Sequence, residues 1–148
     1  MMADLLLLEP ALAARLKQML AGLTPAVHVL SADDLADVAE EKQLVPAVHL
    51  VYHNYRVLES RSDGSAARIE QTWLAVVTTR NLRTSNASGT ATRKQAGPLA
   101  ALVLRGLMGW RAPDTAGPLR LTSGPAGGVH NGFGYLPLAF AVEIALTP

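Results

Sequence analysis

Four histidines and twelve acidic side chains are the residues of this chain that could do chemistry, since cysteine is absent. That absence excludes disulfides, thiolate metal sites and cysteine nucleophiles. His28, His49 and His53 fall in β-rich stretches. On a regular strand His49 and His53 share a face but stand about 13 Å apart at ~3.3 Å per residue, too far to ligate one ion together. They read as histidines packed in or beside a sheet. His130 sits in a glycine-rich loop with no acidic neighbour in sequence, so only a distant carboxylate could reach it. The run Gly124-Pro125-Ala126-Gly127-Gly128-Val129-His130-Asn131-Gly132-Phe133-Gly134 resembles a phosphate loop in composition only. A phosphate loop must open a helix, and the segment after this run reads as strand. Turns or close backbone contact are the expectation.

No Gly-x-Ser-x-Gly elbow, His-Glu-x-x-His helix or calcium-loop spacing occurs. Glu59, Glu70 and Glu143 carry no local signature of paired acid and base roles. The sequence therefore predicts no catalytic residues, no cofactor, no metal and no enzymatic activity.

The elements that would position these residues form one domain. A chain of 148 residues and 15.6 kDa can bury roughly 70% of its unfolded surface in one core. Charged residues are 17% of the total and apolar ones 49%, so much of the surface must be weakly charged. No apolar run approaches the ~20 residues of a bilayer span. The amino terminus lacks the basic region of a secretion signal, which predicts a soluble chain made and kept in the cytoplasm.

Leu5, Leu8, Leu12, Leu16, Met19, Leu20 and Leu23 recur at helical spacing and predict a helix near 9–21, with Pro10 in its first turn and Gly22 ending it. Ala26–Leu30 reads as a strand. Ser31 and Asp34 read as the capping box of a short helix near 32–40. Ala47–Leu58 and Ala67–Leu82 predict a long hairpin around Asp63-Gly64, with Ile69, Trp73, Ala75 and Val77 on one face and Arg68, Glu70, Thr72 and Arg80 on the other. Arg83–Lys94 is too polar to order itself and predicts a mobile loop. A second helix is expected at about 95–109, with Ala100, Ala101 and Gly106 permitting close approach. Leu119–Thr122 and Tyr135–Leu146 complete the strands, Pro137 suiting an edge or a strand beginning. The expected fold is α+β, a mostly antiparallel sheet of about five strands with two main helices packed on one face.

The net charge of +1 conceals an asymmetry. Met1–Asp63 holds five basic and nine acidic residues, Gly64–Arg120 eight basic and two acidic, and the remainder only Glu143. Such a chain can present faces of opposite sign. Arg80, Arg83, Arg93 and Lys94 surround the polar loop and, with Trp110, are the candidate residues for an oligomer or partner interface. An ordinary solvated loop is the plainer reading of this segment, and nucleic-acid contact the weakest, since no aromatic residue lies within it to stack on bases.

Four stretches carry a resemblance: Val45-Pro46-Ala47-Val48-His49-Leu50-Val51-Tyr52, Ile69-Glu70-Gln71-Thr72-Trp73-Leu74-Ala75-Val76-Val77, Ala96-Gly97-Pro98-Leu99 through Gly109-Trp110, and Phe133-Gly134-Tyr135-Leu136-Pro137-Leu138-Ala139-Phe140. Together they resemble the bacteriophage tail terminator proteins, from about Pro10 to Leu146. The resemblance implies a structural subunit of a ring, a hexamer in this family, that caps the tail tube, stops its growth and meets the head connector. It implies a virion location at the head-proximal end of the tail. DNA would pass through the ring without tight binding. Closure of a ring needs two different complementary patches on each subunit. A different neck or tail-tube component is the neighbouring alternative, and a small ligand-binding domain or enzyme the more distant one.

Overall fold

The computed structural model describes residues 4–80 and 90–147, with the side chains of 90–94 left out of the description. The elements run α1 (Leu8–Met19), β1 (His28–Leu30), α2 (Ala32–Leu35), a single 3-10 turn (Glu40–Lys42), β2 (Ala47–Ser60), β3 (Ala67–Arg80), α3 (Thr90–Leu107), β4 (Arg120–Thr122), β5 (Gly128–His130) and β6 (Phe133–Leu146). The fold is α+β, with a six-stranded sheet ordered β1-β2-β3-β6-β4 and β5 also paired to β6. Among the described residues only the β1–β2 pair is parallel.

The long strands form because their apolar residues alternate in register. Val48 pairs with Val77, Leu50 with Ala75, and Tyr52 with Trp73; Trp73 pairs in turn with Phe140, and Ala75 with Leu138. Cross-strand partners point to the same face. These side chains share one core with Leu8, Leu12, Leu16 and Leu20 from α1 and its end, and with Ala96, Leu99, Ala100, Val103 and Leu107 from α3. Trp73 and Tyr52 meet edge to face at 5.3 Å within it.

Helix α1 lies where leucine spacing places it, and Gly22 beyond it takes φ +79°, a conformation that costs glycine little. The Ser31/Asp34 capping box is present. The short helix after it is broken: α2 stops at Leu35, and the chain turns again only at Glu40–Lys42.

Three boundaries depart from expectation. First, α3 starts at Thr90 and not near 95, so residues 90–94 are helical and Pro98 lies inside the helix. Sequence misplaces the start because Pro98 suits a first turn and Thr90-Ala91-Thr92 adds no apolar stripe. The rest of the expected loop, including Arg83, lies outside the described residues except for Thr90–Lys94.

Second, there is a sixth strand. β5 turns into β6 through Asn131 (φ 51°) and Gly132 (φ 81°), the two positive angles that a tight hairpin turn requires. Third, β6 is an interior strand along much of its length. Pro137 is accommodated because β5 pairs only with residues 133–135 and β4 only with 139–141, leaving the proline opposite a gap on that side.

Candidate interface residues and the clasp at the sheet end

Arg80 ends β3, is exposed, and places its guanidinium 5.6 Å from the centre of the Phe133 ring. Phe133 is its cross-strand partner and is buried. Arg80 also borders a largely apolar cavity of about 550 Å³, together with Leu23, Val27, Pro46, Gln95 and Leu99. Arg93 and Lys94 lie in the first turns of α3, immediately before Gln95 on this cavity wall. The backbone therefore brings Arg80 and the start of α3 to one end of the sheet, whereas Arg83 lies outside the described residues.

Trp110 is elsewhere. It follows the far end of α3, is half-buried against the core, and has the Arg15 guanidinium 5.5 Å from its ring centre. Its carbonyl accepts a hydrogen bond from the Leu119 amide at 2.8 Å. Much of its surface is thus already used within the subunit.

The histidines do not converge. His49 is buried and His53 is exposed, next to the register shift between Tyr52 and Asn54. Burial holds the His49 imidazole below its ordinary pKa, and its Nε2 has no hydrogen-bond partner among the described residues. Among those residues, no group of three or more His, Asp or Glu side chains could hold a metal ion.

His130 does find a distant carboxylate. Its Nδ1 lies 3.0 and 3.1 Å from the two carboxylate oxygens of Glu40. Asn131 Nδ2 donates to Glu40 Oε1 at 2.8 Å and the Tyr135 hydroxyl donates to Oε2 at 2.6 Å. Gln43 Nε2 then donates to the Tyr135 hydroxyl at 2.9 Å. The Tyr135 hydroxyl above all, then Asn131 and His130, pull the Glu40 carboxyl down to about 2. Burial and the Glu40 contact push the Tyr135 phenol upward.

Sequence reasoning found His130 and missed its partners. Their separation along the chain hides them, because Glu40 stands 90 residues before His130. The usable signal was Asn131-Gly132, which forecasts a tight turn and hence a pair of strands. The glycine-rich run does provide the close contact expected of it: a Cβ on Gly127 would lie 2.7 Å from the Tyr135 carbonyl oxygen.

No helix is long and apolar enough to cross a membrane, among the residues described. A search of curated proteins finds no match. A family model described as phage tail terminator protein matches residues 2–148, which includes every element above. With a match over essentially its whole length, the chain belongs to the phage tail terminator protein family.

Proposed function

We propose that this phage tail component assembles as a ring of identical subunits, a hexamer, that caps the completed tail tube, stops its growth and offers the head connector a docking surface. The observation that carries this reading is the family match across residues 2–148. In it the subunit is structural and not catalytic, has no cofactor, and sits at the head-proximal end of the virion tail after assembly in the host cytoplasm. Its partners are copies of itself, the tail tube protein and the head–tail connector, and DNA passes through the lumen without tight binding. One domain, residues 1–148, carries the role, with α1 and α3 as a single layer on one face of the sheet. Their leucines sharing a core with Val48, Trp73 and Phe140 supports that arrangement.

Ring closure demands a heterologous contact between unlike patches. The charge asymmetry along the chain supplies them, and Arg80, Arg83, Arg93 and Lys94 are our candidates for the basic side, with Trp110 a further contact. The test is mass in solution combined with electron microscopy of subunits bound to tail tubes. Annular particles seated on one tube end are expected; extended tubes of this chain, or particles lacking it at the head-proximal end, would overturn the reading. Alanine at Arg80, Arg83, Arg93 and Lys94 together should reduce ring formation or tail docking more than it lowers Tm, and unchanged assembly would remove those residues from the interface.

A further inference from the structure

We propose that Glu40 is a latch that fixes β5 and its turn to the body of the subunit, so that residues 128–132 and the segment Glu40–Gln43 open and close as one unit. The β6 arm is held by β3, where Phe133, Gly134 and Tyr135 pair with Arg80, Thr79 and Thr78, whereas β5 has little else to hold it. β5 is three exposed residues, paired only with the first three residues of β6. A three-residue edge strand with one pairing neighbour and no buried side chain sits at the low-stability end of a fold without further contacts.

The latch joins the parts that need joining. Its donors sit at the end of β5 (His130), in the turn (Asn131) and on the returning strand (Tyr135), and all three converge on one carboxylate from the 3-10 turn. Gln43, three residues after Glu40, returns a bond to Tyr135, so the same two segments are tied twice. At the base of the hairpin the Arg80 guanidinium lies over Phe133. Arg80 is the charged group at that base, and Glu41 and Lys42 are the exposed charges beside Glu40.

The hairpin is also placed across the sheet from the helix-side core. Val77 belongs to that core, so Thr78 points to the other face, as does its cross-strand partner Tyr135. Glu40 therefore clamps the hairpin on the face turned away from Val77, and no helix of the core stands in for it. When latched, β5 is held as a sheet edge with its outer backbone groups in line. When released, β5 is left with its three-residue ladder to β6.

Amide hydrogen exchange of the full chain tests this. Glu40→Ala should speed exchange at residues 128–132 and 40–43 by about tenfold or more while amides in Ala47–Ser60 keep their protection, since local opening of one cooperative unit leaves the others intact. Tyr135→Phe should give a smaller acceleration at the same two segments, and Glu40→Gln, which keeps one acceptor oxygen, a smaller one than Glu40→Ala. Exchange within about twofold of the parent in both Glu40→Ala and Tyr135→Phe would overturn the proposal. So would equal acceleration throughout β2, which would make Glu40 a contributor to global stability and no latch.

Discussion

Glu70 and Glu143 stand directly opposite each other across the β3–β6 ladder. Two like charges in that relationship repel. The sheet offsets the repulsion with three arginines from three different places: Arg56 on β2 lies 2.9 Å from Glu70, Arg120 on β4 lies 2.8 Å from its other oxygen, and Arg68 on β3 lies 3.5 Å from Glu143. Arg68 also reaches Glu59 at 3.2 Å, so two three-member ion clusters, Arg56–Glu70–Arg120 and Glu59–Arg68–Glu143, stand side by side at the outer end of the hairpin. The Arg56 hydrogen bond first, and that of Arg120 after it, hold the Glu70 carboxyl below the ordinary carboxylate range.

Removing one arginine from this network should cost little, and removing both from Glu70 should cost more than the sum. Arg56 and Arg120 are well exposed, so each alanine substitution alone is expected to lower stability only slightly. The double variant leaves Glu70 facing Glu143 with no counterion, and the coupling of neighbours in one network makes the effects non-additive. Urea melts of the four-member cycle measure it. A strictly additive cycle would show that Arg56 and Arg120 act on Glu70 independently.

His49 gives the stability a second pH dependence. Its folded pKa is lowered by burial while the unfolded value stays near 6.5. Below that value the unfolded chain binds more protons than the folded one, so stability is full above about pH 6.5 and falls as the pH drops through the window beneath it. His49→Leu, at a position flanked by Leu30 and Val76 in register, should flatten this slope below about pH 6.5. Thermal melts across the range read it directly, and an unchanged slope would locate the titration elsewhere.

Glu40 acts lower on the scale with the opposite charge. Its folded pKa of about 2 lies below the ordinary value of 4.5, so its contribution is present above about 4.5 and is lost as the pH falls toward 2. Exchange protection of residues 128–132 should therefore decline in that window. In Glu40→Gln the decline should be absent, because nothing at that position titrates. A decline of equal size in the variant would assign the effect to other carboxylates.

Long-range polar contacts were the least legible part of this chain. Periodicity was enough for α1 and for the β2–β3 hairpin, where Leu12 and Leu16 or Trp73 and Val77 each carry a strong local signal and end up buried. It failed where a signal was short or shared. β5 is three residues, Gly-Val-His, which have no periodicity to read. The start of α3 was obscured by a proline that is tolerated inside the helix. The Glu40 clasp and the Arg120–Glu70 pair join residues 50 to 95 positions apart, and a single sequence carries no mark of such pairs. Gly106 was different: its small size forecast a close approach without naming the neighbour.

That neighbour is Met19. A Cβ built on Gly106 would lie 2.8 Å from Met19 Cγ and 3.3 Å from Met19 Cβ, and the Gly106 carbonyl accepts a hydrogen bond from Arg15 Nε at 2.9 Å. Glycine here lets α3 approach α1 closely enough for both contacts, which outweighs its poor helix propensity of about 1 kcal/mol relative to alanine. Gly106→Val should destabilise by about 1–3 kcal/mol through overpacking. Shortening Met19 to alanine in the same chain should recover part of that loss, because the obstructing Cγ is gone. The two single variants and the double variant, compared by urea melts, decide it; a double variant no more stable than Gly106→Val would show that the helix backbone, and not the Met19 side chain, is what cannot yield.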